Sequence, residues 1–257
     1  MAAEPIEYEL GVPIPGRILP ELQWARTAVK KLLEAGPLDW SALFGRTAPL
    51  VLDLGCGNGR FTLLSALNRP GYDHFAIDIL PVVIRYATRR ANQRGLHNAR
   101  FAVKDAETFL RQYVPSSSAA EIHLYHPQPY HQTHRAHRRV VTPRLLADVH
   151  RALIPGGLFV VQTDNPDYWA YMTRVLPAFF EFREHLQPWP DAPEGRTRRE
   201  ILARQRGLTI FRGEAVRRDD LSPETVADQA HTLPLPTFRS RGPWSELDRW
   251  ESRVHGD

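Results

Sequence analysis

The 257-residue sequence predicts an α/β protein, a mainly parallel sheet with helices on both faces. Three observations predict it. Short apolar runs alternate with longer segments whose apolar residues recur at helical spacing. A glycine-rich turn, G-C-G-N-G, follows the first run of that alternation. An aspartate stands at or near the end of each of the first three runs: Asp53, Asp78 and Asp105.

After a Pro-rich lead (Pro5, Pro13, Pro15, Pro20), ELQWARTAVKKLLEA reads as an amphipathic helix. PLVLDLG is then a buried strand and GRFTLLSALNR a helix. HFAIDIL is the second strand, followed by the helix VVIRYATRRANQRG, which Gly95 stops. ARFAVKD is the third strand, with a short helix through Phe109 to Tyr113. EIHLYH alternates as the fourth strand. RRVVTPRLLADVHRAL has helical spacing and ends at Pro155-Gly156-Gly157. LFVVQTD is the fifth strand, DYWAYMTRVLPAFF a further helix and LTIFRGEAVRR a last strand. The expected organisation is a lead with its helix (1–44), a central domain (45–218) and a polar, Pro-rich tail (219–257). In that tail, Trp244, Leu247 and Trp250 have the spacing of a short docking helix.

With 42% hydrophobic and 24% charged residues, the composition is that of a globular chain rather than a disordered one. No uncharged apolar run approaches the ~20 residues that span a bilayer. MAAEPIEYEL is acidic and lacks a signal-peptide pattern, so a cytoplasmic protein is expected. The single cysteine, Cys56, excludes an intrachain disulfide framework and a multi-Cys zinc site.

The net charge is only +4, but the cations cluster. From His131 to Arg139 there are three Arg, three His and no acid, and from Arg196 to Arg206 five Arg against one Glu. A run of charge is ordinarily a solvated face. Two runs built on Arg rather than Lys point further, because the guanidinium fork matches phosphate oxygens.

Ligands of parallel sheets sit at the carboxyl ends of the strands. Gly55, Gly57 and Gly59 let backbone approach a ligand there. The spacing is G-x-G-x-G, and Arg60 fills the place of the last glycine in a dinucleotide-binding turn. Asp53, just before the turn, would repel a pyrophosphate and suits an aminoacyl cation. Asp78, about 20 residues on, suits two ribose hydroxyls. Asp105 suits an adenine amine. Each aspartate alone is also an ordinary strand-end or helix-capping residue. Three on consecutive strand ends beside this turn resemble the S-adenosylmethionine pocket of a Rossmann-like methyltransferase fold.

From the fourth strand onward, Pro127-Gln128-Pro129-Tyr130 leads into HQTHRAHRR, and RLLADVHRALIPGGLFVVQTD, Tyr168 and Thr197-Arg198-Arg199-Glu200 follow. This order resembles the bacterial tRNA (guanine-N7)-methyltransferases, with their P-D-P-W motif, basic segment, P-G-G, T-D and T-x-F-E. The likeness covers roughly residues 45 to 217. It implies methylation of guanine N7 in tRNA, at guanine 46, with S-adenosylmethionine as cofactor and tRNA as partner. It also implies that Asp53, Asp78 and Asp105 bind cofactor. Gln132, Arg135, Arg138, Arg139, Asp164, Thr197 and Glu200 fall on or beside its substrate-binding positions. The sequence departs from the family pattern at Gln128 for the motif acid, Tyr130 for its Trp and Gln132 for a lysine. Arg135 and His137 are further substitutions in the basic segment.

Guanine N7 carries a lone pair and no proton, so its methylation needs in-line alignment and no base at the attacking atom. Gln128 stands at the catalytic position, able to accept one hydrogen bond from the guanine edge without a charge. The four closely spaced histidines 126, 131, 134 and 137 have no carboxylate or cysteine among them, so no metal is expected. Two further readings stay open: an amino-group methyltransferase, since P-Q-P-Y resembles an N-P-P-Y loop, and a tRNA-binding relative without catalysis.

Overall fold

The computed structural model describes residues 6–32 and 36–239. Its centre is a seven-stranded sheet of β3 (Leu50–Leu54), β4 (Asp73–Asp78), β5 (Ala99–Val103), β6 (Ala119–Tyr125), β7 (Leu153–Thr163), β8 (Phe180–Glu184) and β9 (Phe211–Arg217). The spatial order is β5-β4-β3-β6-β7-β9-β8. The four pairings from β5 to β7 are parallel and the two made by β9 are antiparallel. A small antiparallel hairpin, β1 (Tyr8–Glu9) and β2 (Val12–Pro13), and a short helix, α1 (Trp40–Phe44), precede the sheet.

Every residue of β3 is buried, as a strand covered on both faces requires. One cover is α2 (Arg60–Asn68) and α3 (Pro81–Gln93), where Leu63, Ala66, Ala87 and Ala91 pack on Ala76. The other holds α4 (Ala106–Tyr113), α5 (Pro143–Ala152) and α6 (Pro166–Val175), whose Phe109, Leu145 and Met172 join Leu52, Phe75 and Phe159. Because β3 to β7 run parallel, the loops after them open on one edge of the sheet. The chain departs from β3 first toward β4 and later returns on the other side of β3 at β6, so the crevice of the topological switch lies between the ends of β3 and β6.

The mainly parallel sheet and its alternation with helices agree with the sequence. Other expectations need correction. The described part of the segment 21–35, residues 21–32, does not form an amphipathic helix: a 3-10 turn spans Glu21–Gln23 and the residues after it run extended. There Ala25 and Thr27 are buried in alternation with exposed neighbours. The Phe101 amide donates to the Thr27 carbonyl at 2.9 Å, and the Val29 amide to the Phe101 carbonyl at 2.8 Å. The open edge of β5 therefore outcompetes helical periodicity. The fifth helix begins only at Pro143, where the Thr142 hydroxyl caps the Leu145 amide at 3.1 Å. Pro155-Gly156-Gly157 lie inside the span of β7, after that helix has ended.

β8, α7 (Arg198–Gln205) and α8 (Pro223–Thr232) are elements beyond those the sequence pattern predicts. The helix expected around Trp244 and Trp250 lies outside the described residues. Among the described residues, no helix is long and apolar enough to cross a membrane.

Candidate active site

The glycine turn after β3 is held by the end of β4. The Gly55 and Cys56 amides both donate to the Ile77 carbonyl, at 2.9 and 2.8 Å. The Asp78 carboxylate accepts the Gly57 amide at 2.9 Å on one oxygen and the Leu80 amide at 2.9 Å on the other. A Cβ on Gly55 or Gly57 would meet nothing within 4 Å, so this side of the turn is an open cradle. Gly59 differs: a Cβ there would lie 2.7 Å from that of Ala87, so this glycine serves the packing of α2 on α3.

Asp53 is 2% exposed and accepts the Thr62 hydroxyl at 2.5 Å. Burial pushes its carboxyl up to about 7; the Thr62 hydrogen bond opposes the shift and the nearby Asp78 charge adds to it. A buried acid of this kind is held ionised by a cation placed beside it. Asp105 accepts the Thr108 amide at 2.8 Å and caps α4, the ordinary role weighed for it above. Two acceptor carboxylates and an open backbone cradle fit a ligand bearing an ammonium and hydroxyls. Asp78 and the turn would hold the hydroxyl end and Asp53 the ammonium.

The loop after β6 is backbone-strained at two non-glycine residues, His126 (φ 50°) and Tyr130 (φ 40°). They bracket Pro127-Gln128-Pro129. The His126 ring donates from Nδ1 to Asp164 at 3.1 Å, while its Nε2 accepts from the Gln162 amide at 2.9 Å. Gln162 is itself oriented by the Trp189 indole, which donates to its oxygen at 2.6 Å. Gln128 and Gln132 are half-buried on this loop. The Gln132 side-chain oxygen is buried without a hydrogen-bond donor.

Four expected substrate contacts have other partners. Arg139 is 1% exposed, and its guanidinium donates to the carbonyls of Pro129, Tyr130, Pro236 and Phe238. That corrects its expected phosphate contact. Glu200 is fully buried, with one oxygen 2.6 Å from Arg212 and the other on the Arg196 amide. Burial raises its carboxyl, but Arg212 and Gln162 outweigh that and hold it below the ordinary range. Thr197 caps the Glu200 amide at 3.1 Å, so T-R-R-E is the start signal of α7. Asp164 is gripped by His126 and by Arg199 at 2.6 Å, and these partners overcome its burial and hold its carboxyl well below the usual range. Arg138 is exposed and Arg135 half-buried.

A family model described as "Putative methyltransferase" matches residues 47–212. The tRNA (guanine-N(7)-)-methyltransferase of Halorhodospira halophila is 31% identical over 175 residues, 68% of this chain and 76% of that protein. The chain belongs to the tRNA (guanine-N7)-methyltransferase family. The enzyme of that name from Alcanivorax borkumensis is 31% identical over 190 residues, 74% of this chain and 79% of that protein. The one from Paracidovorax citrulli is 36% identical over 159 residues, 61% and 64% of the two chains. Among solved structures, a 16S rRNA methyltransferase, KamB, aligns with a TM-score of 0.56 at 18% identity, covering 75% of this chain and 98% of that one. That likeness shows the fold: a Rossmann-like methyltransferase sheet.

In this member of the tRNA (guanine-N7)-methyltransferase family, three further residues beside the turn and the loop carry no motif that marks them. Glu9 of the hairpin accepts the Asn58 amide at 2.5 Å beside the glycine turn and lies 3.6 Å from Arg198. Arg60 ties the first turn of α2 to the Pro13 carbonyl at 2.9 Å. His126, one of the four closely spaced histidines, is the pivot between β7 and the loop. The one legible signal was charge: Glu7 and Glu9 precede an arginine-rich helix, and Glu7 pairs with Arg90 and Arg94 at 3.1 Å. Among the described residues, no three His, Cys, Asp or Glu side chains converge to hold a metal.

Proposed function

We propose that this chain methylates guanine N7 in tRNA, at position 46 as in the family pattern, using S-adenosylmethionine in the cytoplasm. Residues 45–218 are read as the catalytic domain, with Asp53, Asp78, the backbone of Gly55 and Gly57, and Asp105 at the cofactor. The observation that carries this reading is the juxtaposition at the switch point. The Asp78-bound glycine turn after β3 and the strained Gln128 loop after β6 leave neighbouring strands on the same edge of the sheet. A family relationship supplies the base and the nucleic acid.

The cofactor supplies an electrophilic methyl group. What the chain contributes is alignment, because N7 attacks through its own lone pair and gives up no proton. Gln128, in the place of the family acid, accepts from the guanine edge through its amide oxygen. The cationic product is stabilised less than it would be beside a carboxylate. The loss of one charged hydrogen bond costs on the order of 2 kcal/mol, so turnover slows and does not vanish. Asp164 acts one step back from the base by fixing His126. Arg138 and Arg135 meet tRNA phosphates outside the pocket. The test is incubation with methyl-labelled S-adenosylmethionine and unmodified tRNA, then nucleoside analysis. Label in 7-methylguanosine supports the reading, label on an amino group supports the alternative class, and tRNA binding without label leaves a binding-only relative.

A further inference from the structure

We infer that the segment around Pro236 and Phe238 is a working part of the guanine pocket, because through Arg139 it sets the conformation of the Gln128 loop. Both residues lie beyond the family match, which ends at residue 212. Arg139 spans the gap between the two segments. On one side its Nε donates to the Pro129 carbonyl at 2.6 Å and its Nη2 to the Tyr130 carbonyl at 3.0 Å. On the other its Nη1 donates to the carbonyls of Pro236 at 2.5 Å and Phe238 at 2.8 Å. The Phe238 ring closes the arrangement, with the guanidinium carbon 3.7 Å from its centroid.

The tail is in turn fixed to the body of the fold. The Phe238 ring lies 5.3 Å from that of Tyr168, and the Tyr171 hydroxyl donates to the Pro234 carbonyl at 2.9 Å. The loop needs such an anchor. A left-handed backbone at a residue with a side chain persists only where its surroundings hold it. His126 is held by Gln162 and Asp164, at the end of β7. Tyr130, at the other end of Pro127-Gln128-Pro129, is held by Arg139, and Arg139 is held by the tail. Arg139 and Phe238 are therefore positioning residues: they touch neither base nor methyl donor, and they decide where Gln128 stands.

This inference rests on reading the loop as the rim of a guanine pocket, so its test has one arm that needs no activity. In the full chain, Phe238→Ala, Phe238→Trp and Arg139→Lys are compared by amide hydrogen exchange and by single-turnover methylation of unmodified tRNA. Phe238→Ala should speed exchange in the peptide 126–139 about ten-fold, leaving the peptide 53–60 unchanged. It should slow methyl transfer about ten-fold or more, since small misplacements of reacting groups are costly, with cofactor affinity unaltered. Phe238→Trp should restore both, and Arg139→Lys, which cannot reach four carbonyls, should not. Unchanged exchange in Phe238→Ala overturns the clamp, and so does faster exchange with an undiminished rate. Should the wild type transfer no methyl group while exchange follows the expected pattern, the clamp stands and the methyltransferase reading falls.

Discussion

The carboxylate of Asp78 accepts the backbone amide of Gly57 at 2.9 Å, joining the ends of two neighbouring parallel strands through one hydrogen bond. The residue proposed as the ribose acceptor thus also shapes the glycine turn proposed to face the cofactor. Asp78→Ala should remove both contributions, at roughly 2 to 3 kcal/mol for charged hydrogen bonds. Calorimetric titration should show S-adenosylmethionine affinity falling about thirty-fold or more in a protein that still melts cooperatively. Unchanged affinity would detach Asp78 from the cofactor.

If Asp53 faces the cofactor as proposed, binding should depend on pH with a sign that follows from its burial. Its folded carboxyl titrates near 7, raised above its ordinary value, so below that pH the group is neutral and has no charge for an ammonium. Affinity for S-adenosylmethionine should therefore weaken as pH falls from 7.5 to 6. The ligand-free protein should move the other way, losing stability as pH rises from about 4 through about 7, because the unfolded chain releases this proton more readily. Asp53→Asn should flatten both profiles. Titrations at a series of pH values that show the same slope in wild type and mutant would exclude Asp53 as the source.

Arg138 and Arg139 mark where sequence reading stops. They are adjacent in the chain and belong to one basic run, yet Arg138 is exposed and Arg139 is 1% exposed. What separates them is contact with Pro236 and Phe238, about a hundred residues away, which no local pattern encodes. The same limit explains residues 21–32, whose helical spacing yields to the edge of β5. Period-based elements that stay within one unit, from β3 to β7, were legible because each needs only its own alternation and a cap. The placement of Asp53, Asp78 and Asp105 at or just past the ends of three neighbouring strands was legible because a parallel sheet brings such ends to one edge. Thr197 and Glu200 have a second, local meaning: T-x-x-E also reads as a helix start, and here Thr197 caps the Glu200 amide while Glu200 accepts the amide of Arg196, one residue before the cap.

The two classes of arginine should separate in salt dependence. If Arg138 neutralises a phosphate, Arg138→Ala should flatten the log-log slope of tRNA affinity against salt by about one unit. Arg139→Ala and Arg199→Ala should act on the fold instead. Removing Arg139 leaves buried carbonyls without donors, at about 3 kcal/mol or more in total. Removing Arg199 leaves Asp164 with one partner fewer. Their melting temperatures should drop well below that of Arg138→Ala. Equal salt slopes for wild type and Arg138→Ala would reduce this run to a solvated face.

Gln128 sits between the two strained residues of its loop, half-buried beside the switch-point crevice. Since N7 has no proton to lose, the wild type should transfer methyl groups, slowly for its family. Gln128→Asp adds a charge able to accept from the guanine edge and to stabilise the cationic product. Its single-turnover rate should rise by about ten-fold or more, equivalent to 1.4 kcal/mol of the charged hydrogen bond regained. Gln128→Ala should fall below wild type, and both variants should bind S-adenosylmethionine as the wild type does, because Asp53 and Asp78 are untouched. If Gln128→Asp and wild type are equally inert while cofactor and tRNA still bind, the loop holds tRNA without acting on it.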